Sequence, residues 1–77
     1  MRVSVRNPET GNVITMEVDQ DHTMEDIIET AANQWGLAPG AYVLKHGKDF
    51  LQGQLEIYNT GIRDGDMIEL IPDPTGG

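Results

Sequence analysis

Only one stretch of this chain carries helical periodicity, and that restricts the fold more than any other feature. Met24, Ile27, Ile28, Ala31 and Trp35 recur at i, i+3, i+4, i+7 and i+11, which draws a single apolar stripe along one helix. The spacing predicts a helix from Met24 to about Trp35. Thr23 stands where an N-cap belongs, and Asp26 three residues on supplies the acidic half of a capping box. Gly36 is placed as the left-handed residue past the last turn, with Leu37 folding back beyond it.

The rest of the chain alternates instead. Val3 and Val5 alternate with Arg2, Ser4 and Arg6, the period of a half-buried strand. In Val13 to Val18, Ile14, Met16 and Val18 share one face, and Val13, Thr15 and Glu17 the other. The segment between, Asn7-Pro8-Glu9-Thr10-Gly11-Asn12, is dense in turn formers, so the two runs read as a β-hairpin. After the helix, Ala38-Pro39-Gly40 breaks the chain and Ala41 to His46 forms a further strand. Its facing is open: either Tyr42 and Leu44 point inward, or Ala41 and Val43 do. Gly47-Lys48 is a turn before the apolar pair Phe50-Leu51. Leu55, Ile57, Tyr58 and Ile62 are core candidates in the irregular stretch Gln52 to Arg63, and Asp64-Gly65-Asp66 turns into a last strand. A hairpin, one helix and then more strands fit an α+β domain with the helix packed on one face of a mixed sheet. One stripe covers one sheet face, so the other meets solvent or a partner.

Seventy-seven residues make a single small domain, which buries only about 60% of the surface of its unfolded chain. There is no cysteine, which excludes disulfides, thiolate metal sites and cysteine catalysis. No apolar run approaches a membrane span and no signal peptide is visible, so the cytoplasm is the expected compartment. The net charge of −8 opposes binding to nucleic acid or an anionic membrane and favours a partner with a basic face. The acidic residues from Asp19 to Glu29 lie toward the helix start, where the dipole favours anions. They lack the glycine and terminal glutamate of an EF-hand loop, so no metal is expected. His22 and His46 have no paired nucleophile or ligand cluster in the sequence and read as surface histidines.

The chain closes with Ile68 to Gly77, IELIPDPTGG. Pro72 and Pro74 end strand pairing, because proline has no N–H to give. Gly76 and Gly77 follow as the thinnest backbone available, able to thread a narrow enzyme channel and present a terminal carboxyl carbon. The expected division is a folded body over residues 1–71 and a flexible tail over 72–77.

Nearly the whole chain resembles the ubiquitin family. Met1 to Arg6 resembles its first strand, Gly11 to Val18 its second, and Thr23-Met24-Glu25-Asp26 its helix start. Gly36-Leu37-Ala38-Pro39 resembles the helix exit, and Val43-Leu44 followed by Gly47-Lys48 its third strand and turn. Tyr58-Asn59 resembles its buried tyrosine turn, and Gly76-Gly77 its conjugated end. The order and spacing of these segments imply a β-grasp fold. By the resemblance Val43 is core and Leu44 lies on the outer sheet face, near Arg6, Tyr42, Glu69 and Ile71. That face is the apolar patch which receptors read in the family. Glu69 stands here where ubiquitin has histidine, and Tyr42 where it has arginine.

The tail departs from ubiquitin. Asp73 and Thr75 replace its two arginines, and Pro72 and Pro74 its leucines. Asp64-Gly65-Asp66 and the proline-containing stretch before Gly-Gly look like the sulfur carriers of molybdopterin and thiamine synthesis, and like the archaeal small modifiers. The resemblance implies a substrate rather than an enzyme. An activating enzyme would adenylate the carboxylate of Gly77 with ATP and magnesium, which belong to that enzyme and not to this chain as cofactors. The acyl group would then pass to an enzyme cysteine and on to target lysines, with conjugating and deconjugating enzymes as further partners. Lys45 and Lys48 are the candidate acceptors on the protein itself, and a monomer is expected. Two other readings stay open: a sulfur carrier with a terminal thiocarboxylate, and a non-covalent interaction domain.

Overall fold

The computed structural model describes residues 1–75. Five strands and one helix follow in the order β1 (Arg2–Arg6), β2 (Val13–Glu17), α1 (Met24–Trp35), β3 (Tyr42–His46), β4 (Asp49–Leu51) and β5 (Met67–Pro72). Short 3₁₀ turns at Pro39–Ala41 and Ile57–Asn59 precede β3 and β5. The sheet order is β2-β1-β5-β3-β4. The first and last strands therefore pair in the middle, in parallel, and every other pairing is antiparallel. One helix packed on such a mixed sheet is the α+β architecture of a β-grasp fold.

The helix has the predicted bounds because its ends are specified locally. The Thr23 hydroxyl accepts from the Asp26 N–H at 3.2 Å, and the Asp26 carboxylate accepts from the Thr23 N–H at 3.0 Å. Two more orphan N–H groups of the first turn, on Met24 and Glu25, donate to the carbonyls of Leu55 and Gly53. Gly36 ends the helix at φ 69°, and its N–H and that of Leu37 both return to the Ala32 carbonyl. The stripe Met24, Ile27, Ile28 and Ala31 is buried against Val3, Val5, Leu44, Ile57, Ile68 and Leu70. Each of these side chains larger than alanine contributes about 1.5–3 kcal/mol through removal from water.

Two expectations need correction. Leu44 is fully buried and Val43 is only partly buried, the reverse of the facing taken from the resemblance. Leu44 sits between Leu70 of β5 and Leu51 of β4 in the sheet register, and all three face the helix. Ala41 belongs to the 3₁₀ turn and the strand begins at Tyr42; the pairing of Leu44 with Leu51 and Leu70 sets which residues face inward. A slip of one exchanges every side chain between faces. Tyr58, a core candidate, is 60% exposed, while its neighbour Ile57 takes the buried position in that turn.

Candidate functional site: the outer sheet face and the tail root

The sheet face away from the helix is assembled by cross-strand pairing. Its longest row runs Val13, Arg6, Glu69, Lys45, Phe50 across all five strands. The Arg6 guanidinium lies 3.3 Å from the Glu69 carboxylate, and both are partly exposed. The Lys45 ammonium lies 6.0 Å from the centre of the Phe50 ring, at the outer limit of a cation–π contact. The next row pairs Val43 with Ile71. Phe50 and Met67, each about half exposed, add apolar surface at two borders.

Of the residues expected on this face, Arg6, Glu69 and Ile71 lie there. Leu44 does not, since it is core. Tyr42 does not either: it shares Leu44's side of β3 and packs half-buried against the core beside the helix. Val43 and Phe50 hold the positions that sequence reasoning missed. The only signal for Phe50 was its pairing with the inward Leu51, and that needs the β3–β4 register. Of the candidate acceptors, Lys45 is on this face and partly covered, while Lys48 is exposed in the β3–β4 turn.

The tail leaves the sheet beside this face. The Asp73 N–H donates to the Ala41 carbonyl at 2.9 Å. The Asp73 carboxylate then accepts from the Thr75 hydroxyl at 2.6 Å and the Thr75 N–H at 2.9 Å. Those bonds, the hydroxyl first, hold the Asp73 carboxyl below its ordinary value. Val43, Phe50, Gln52, Asp73, Pro74 and Thr75 line a groove of about 340 Å³ where the face meets the tail. Gly76 and Gly77, the expected point of activation, lie outside the described residues.

Two side-chain clusters lie elsewhere. His46 Nε2 is 3.1 Å from Asp66 Oδ2, which ties the end of β3 to the turn before β5. The Arg63 N–H, and after it the His46 ring, keep the Asp66 carboxyl below its ordinary value. Asp19, Asp21 and His22 each bring a ligand atom within 4.8 Å of the others. One imidazole nitrogen there is engaged: the Asp19 N–H donates to His22 Nδ1 at 2.7 Å, which places the proton of the neutral ring on Nε2. Among the described residues no helix is long and apolar enough to cross a membrane. No protein-family profile matches the chain, and no curated protein matches it.

Proposed function

We propose that this chain is a ubiquitin-like protein modifier, activated at the carboxylate of Gly77 and transferred to lysines of target proteins. The observation that carries the reading is the placement of the tail root. A β-grasp body hands its last strand directly to a short tail, and a groove on the outer face opens at that junction. An enzyme gripping Val43, Phe50 and Ile71 would hold the body while the residues after Thr75 enter its catalytic channel. The chemistry is carried by the enzyme. The Gly77 carboxylate attacks the α-phosphate of ATP and pyrophosphate leaves. A cysteine thiol displaces AMP from the acyl-adenylate, and a lysine amine displaces the thiol to leave an isopeptide bond. Asp73 sets one carboxylate at the root of the tail, while Glu69 is paired with Arg6 and lies beside Lys45, so the cognate enzyme is expected to meet a face of mixed charge there.

Mass spectrometry of the protein from its native cell tests this. Tryptic cleavage after Arg63 leaves the branch Asp64–Gly77 on any modified lysine. Finding that branch, and losing it on deletion of Gly76 and Gly77, supports the proposal. A sulfur-for-oxygen mass increment at Gly77 with no branched peptides replaces it with sulfur transfer. A chain that continues unprocessed past Gly77, or ends there unmodified, overturns both.

A further inference from the structure

A second cavity opens on the helix side of the tail root, where parts of the chain far apart in sequence meet without filling the space between them. It measures about 240 Å³. Ile28 of α1 and Pro39 of the first 3₁₀ turn give it apolar lining, and Tyr42 at the start of β3 adds an aromatic side chain. Gln52 and Gly53, directly after β4, also line it. A Cβ on Gly53 would lie 3.6 Å from the Cβ of Glu25, so the glycine leaves the stem of Glu25 uncovered. Drug-sized ligands usually occupy roughly 300–1,000 Å³, and this smaller cavity suits a single long side chain.

The charge around it is of one sign. Glu25 comes from the first turn of the helix and Asp73 from the tail root, and no lysine or arginine lines the cavity. Acidic groups elsewhere are paired within the fold: Glu17 with Arg2, Glu69 with Arg6, Asp26 with the Thr23 N–H and Asp66 with the Arg63 N–H. Among the described residues the Glu25 carboxylate has no such partner, and neither has the Gln52 side-chain amide. Asp73 accepts both Thr75 donors on Oδ1, which leaves Oδ2 open. The chain's own cations stand elsewhere. Arg2 and Arg6 are engaged on the sheet, Lys45 lies by Phe50, and Lys48 and Arg63 sit in the turns before β4 and β5.

We propose that this cavity receives an arginine side chain from a partner protein. The guanidinium presents five N–H donors in a planar fork, enough to serve Glu25, the open Oδ2 of Asp73 and the Gln52 side-chain carbonyl together. Its methylene stem would lie along Ile28 and Pro39, and its plane would stack on Tyr42. Lysine is the poorer occupant, because its compact ammonium gives up more hydration and offers no plane to the ring. The net charge of −8 draws a basic partner in. Binding here needs no chemistry at Gly77, so the site stands or falls separately from activation.

The probe is the blocked tripeptide acetyl-Gly-Arg-Gly-amide, titrated into the full chain at constant ionic strength and followed by amide chemical shifts. Saturable shifts at Glu25, Tyr42, Gly53 and Asp73 are expected, with a Kd on the order of 1–10 mM for one side chain. The citrulline tripeptide, which keeps the shape and loses the charge, should bind at least about threefold more weakly, and the lysine tripeptide should fall between the two. Glu25→Gln and Asp73→Asn should each weaken binding roughly threefold or more. Glu29→Gln removes the same charge from the same helix outside the cavity and should leave binding unchanged. No shifts at about 50 mM tripeptide, equal binding of the citrulline or lysine tripeptide, or an equal loss in Glu29→Gln would overturn the proposal. So would shifts centred on Asp19, Asp21 and Asp26, which would mark a general attraction of cations to the acidic side of the molecule.

Discussion

Leu44 and Val43 are chemically close neighbours with opposite surroundings, and the difference can be measured. Leu44 is enclosed between Leu70 and Leu51, so Leu44→Ala should cost about 2–5 kcal/mol. Val43 is partly buried beside Ile71, and Val43→Ala should cost about 1 kcal/mol or less. Urea unfolding of both variants checks the register of β3, and the opposite ranking would place that strand one residue out. Composition could not decide this, because Tyr42, Val43 and Leu44 are all apolar and alternation then has no polar face to read. The resemblance supplied a phase and supplied the wrong one. The phase is fixed by pairing with β4, across a short turn, and with β5, far along the chain, and neither is written in β3 itself. Arg6 was legible from the alternation of β1, where Val3 and Val5 leave one outer set, whereas Glu69 and Ile71 were placed by the resemblance, since Leu70 and Ile71 are both apolar and blur the alternation of β5.

At the scale of the element, α1 was legible to the residue because its signals are local. Stripe, capping box and terminal glycine all fall between Thr23 and Leu37. The capping box also gives the helix a pH dependence. The Asp26 carboxyl is held below its ordinary value, first by the Thr23 N–H and also by the Thr23 hydroxyl and the nearby His22. A carboxyl lowered in the folded state stabilises it fully above the unfolded value, and that stability is lost as pH falls through the folded one. Asp26→Asn should therefore lower Tm near neutrality, and the gap to the unmodified protein should narrow as pH drops below about 4. Thermal melts followed by circular dichroism at pH 7 and pH 3 test this, and a gap that widens in acid would refute it. β4 shows the contrary case. Three residues are too few for a pattern, and which of Phe50 and Leu51 is buried depends wholly on pairing with β3.

For the whole molecule the governing quantity is charge. Thirteen carboxylate side chains face five lysines and arginines, and the ion pairs of the described residues lie mostly at partly or fully exposed side chains, where each contributes about 0–1 kcal/mol. The body measures 26 × 23 × 21 Å. At about 0.01 M salt the screening length is roughly 30 Å, and at 0.15 M roughly 8 Å. In dilute buffer every carboxylate thus repels every other across the entire protein. Raising salt over this range should raise Tm, and a scan against sodium chloride reads it directly. A fall in Tm would mean that pairs such as Arg6 with Glu69 outweigh the general repulsion.

The parallel pairing of β1 with β5 also has a consequence for synthesis. The strand made first waits for its central neighbour until residue 72 has been added, and the rungs from Ser4–Met67 to Arg6–Glu69 span nearly the full chain. At translation rates of about 5–20 residues per second, that wait lasts roughly 4–15 s. For all of it β1 and β2 are a two-stranded hairpin, which is marginal in water. The domain therefore cannot complete its core until β5 has been made, and a message truncated before Met67 yields a chain without its central strand pair.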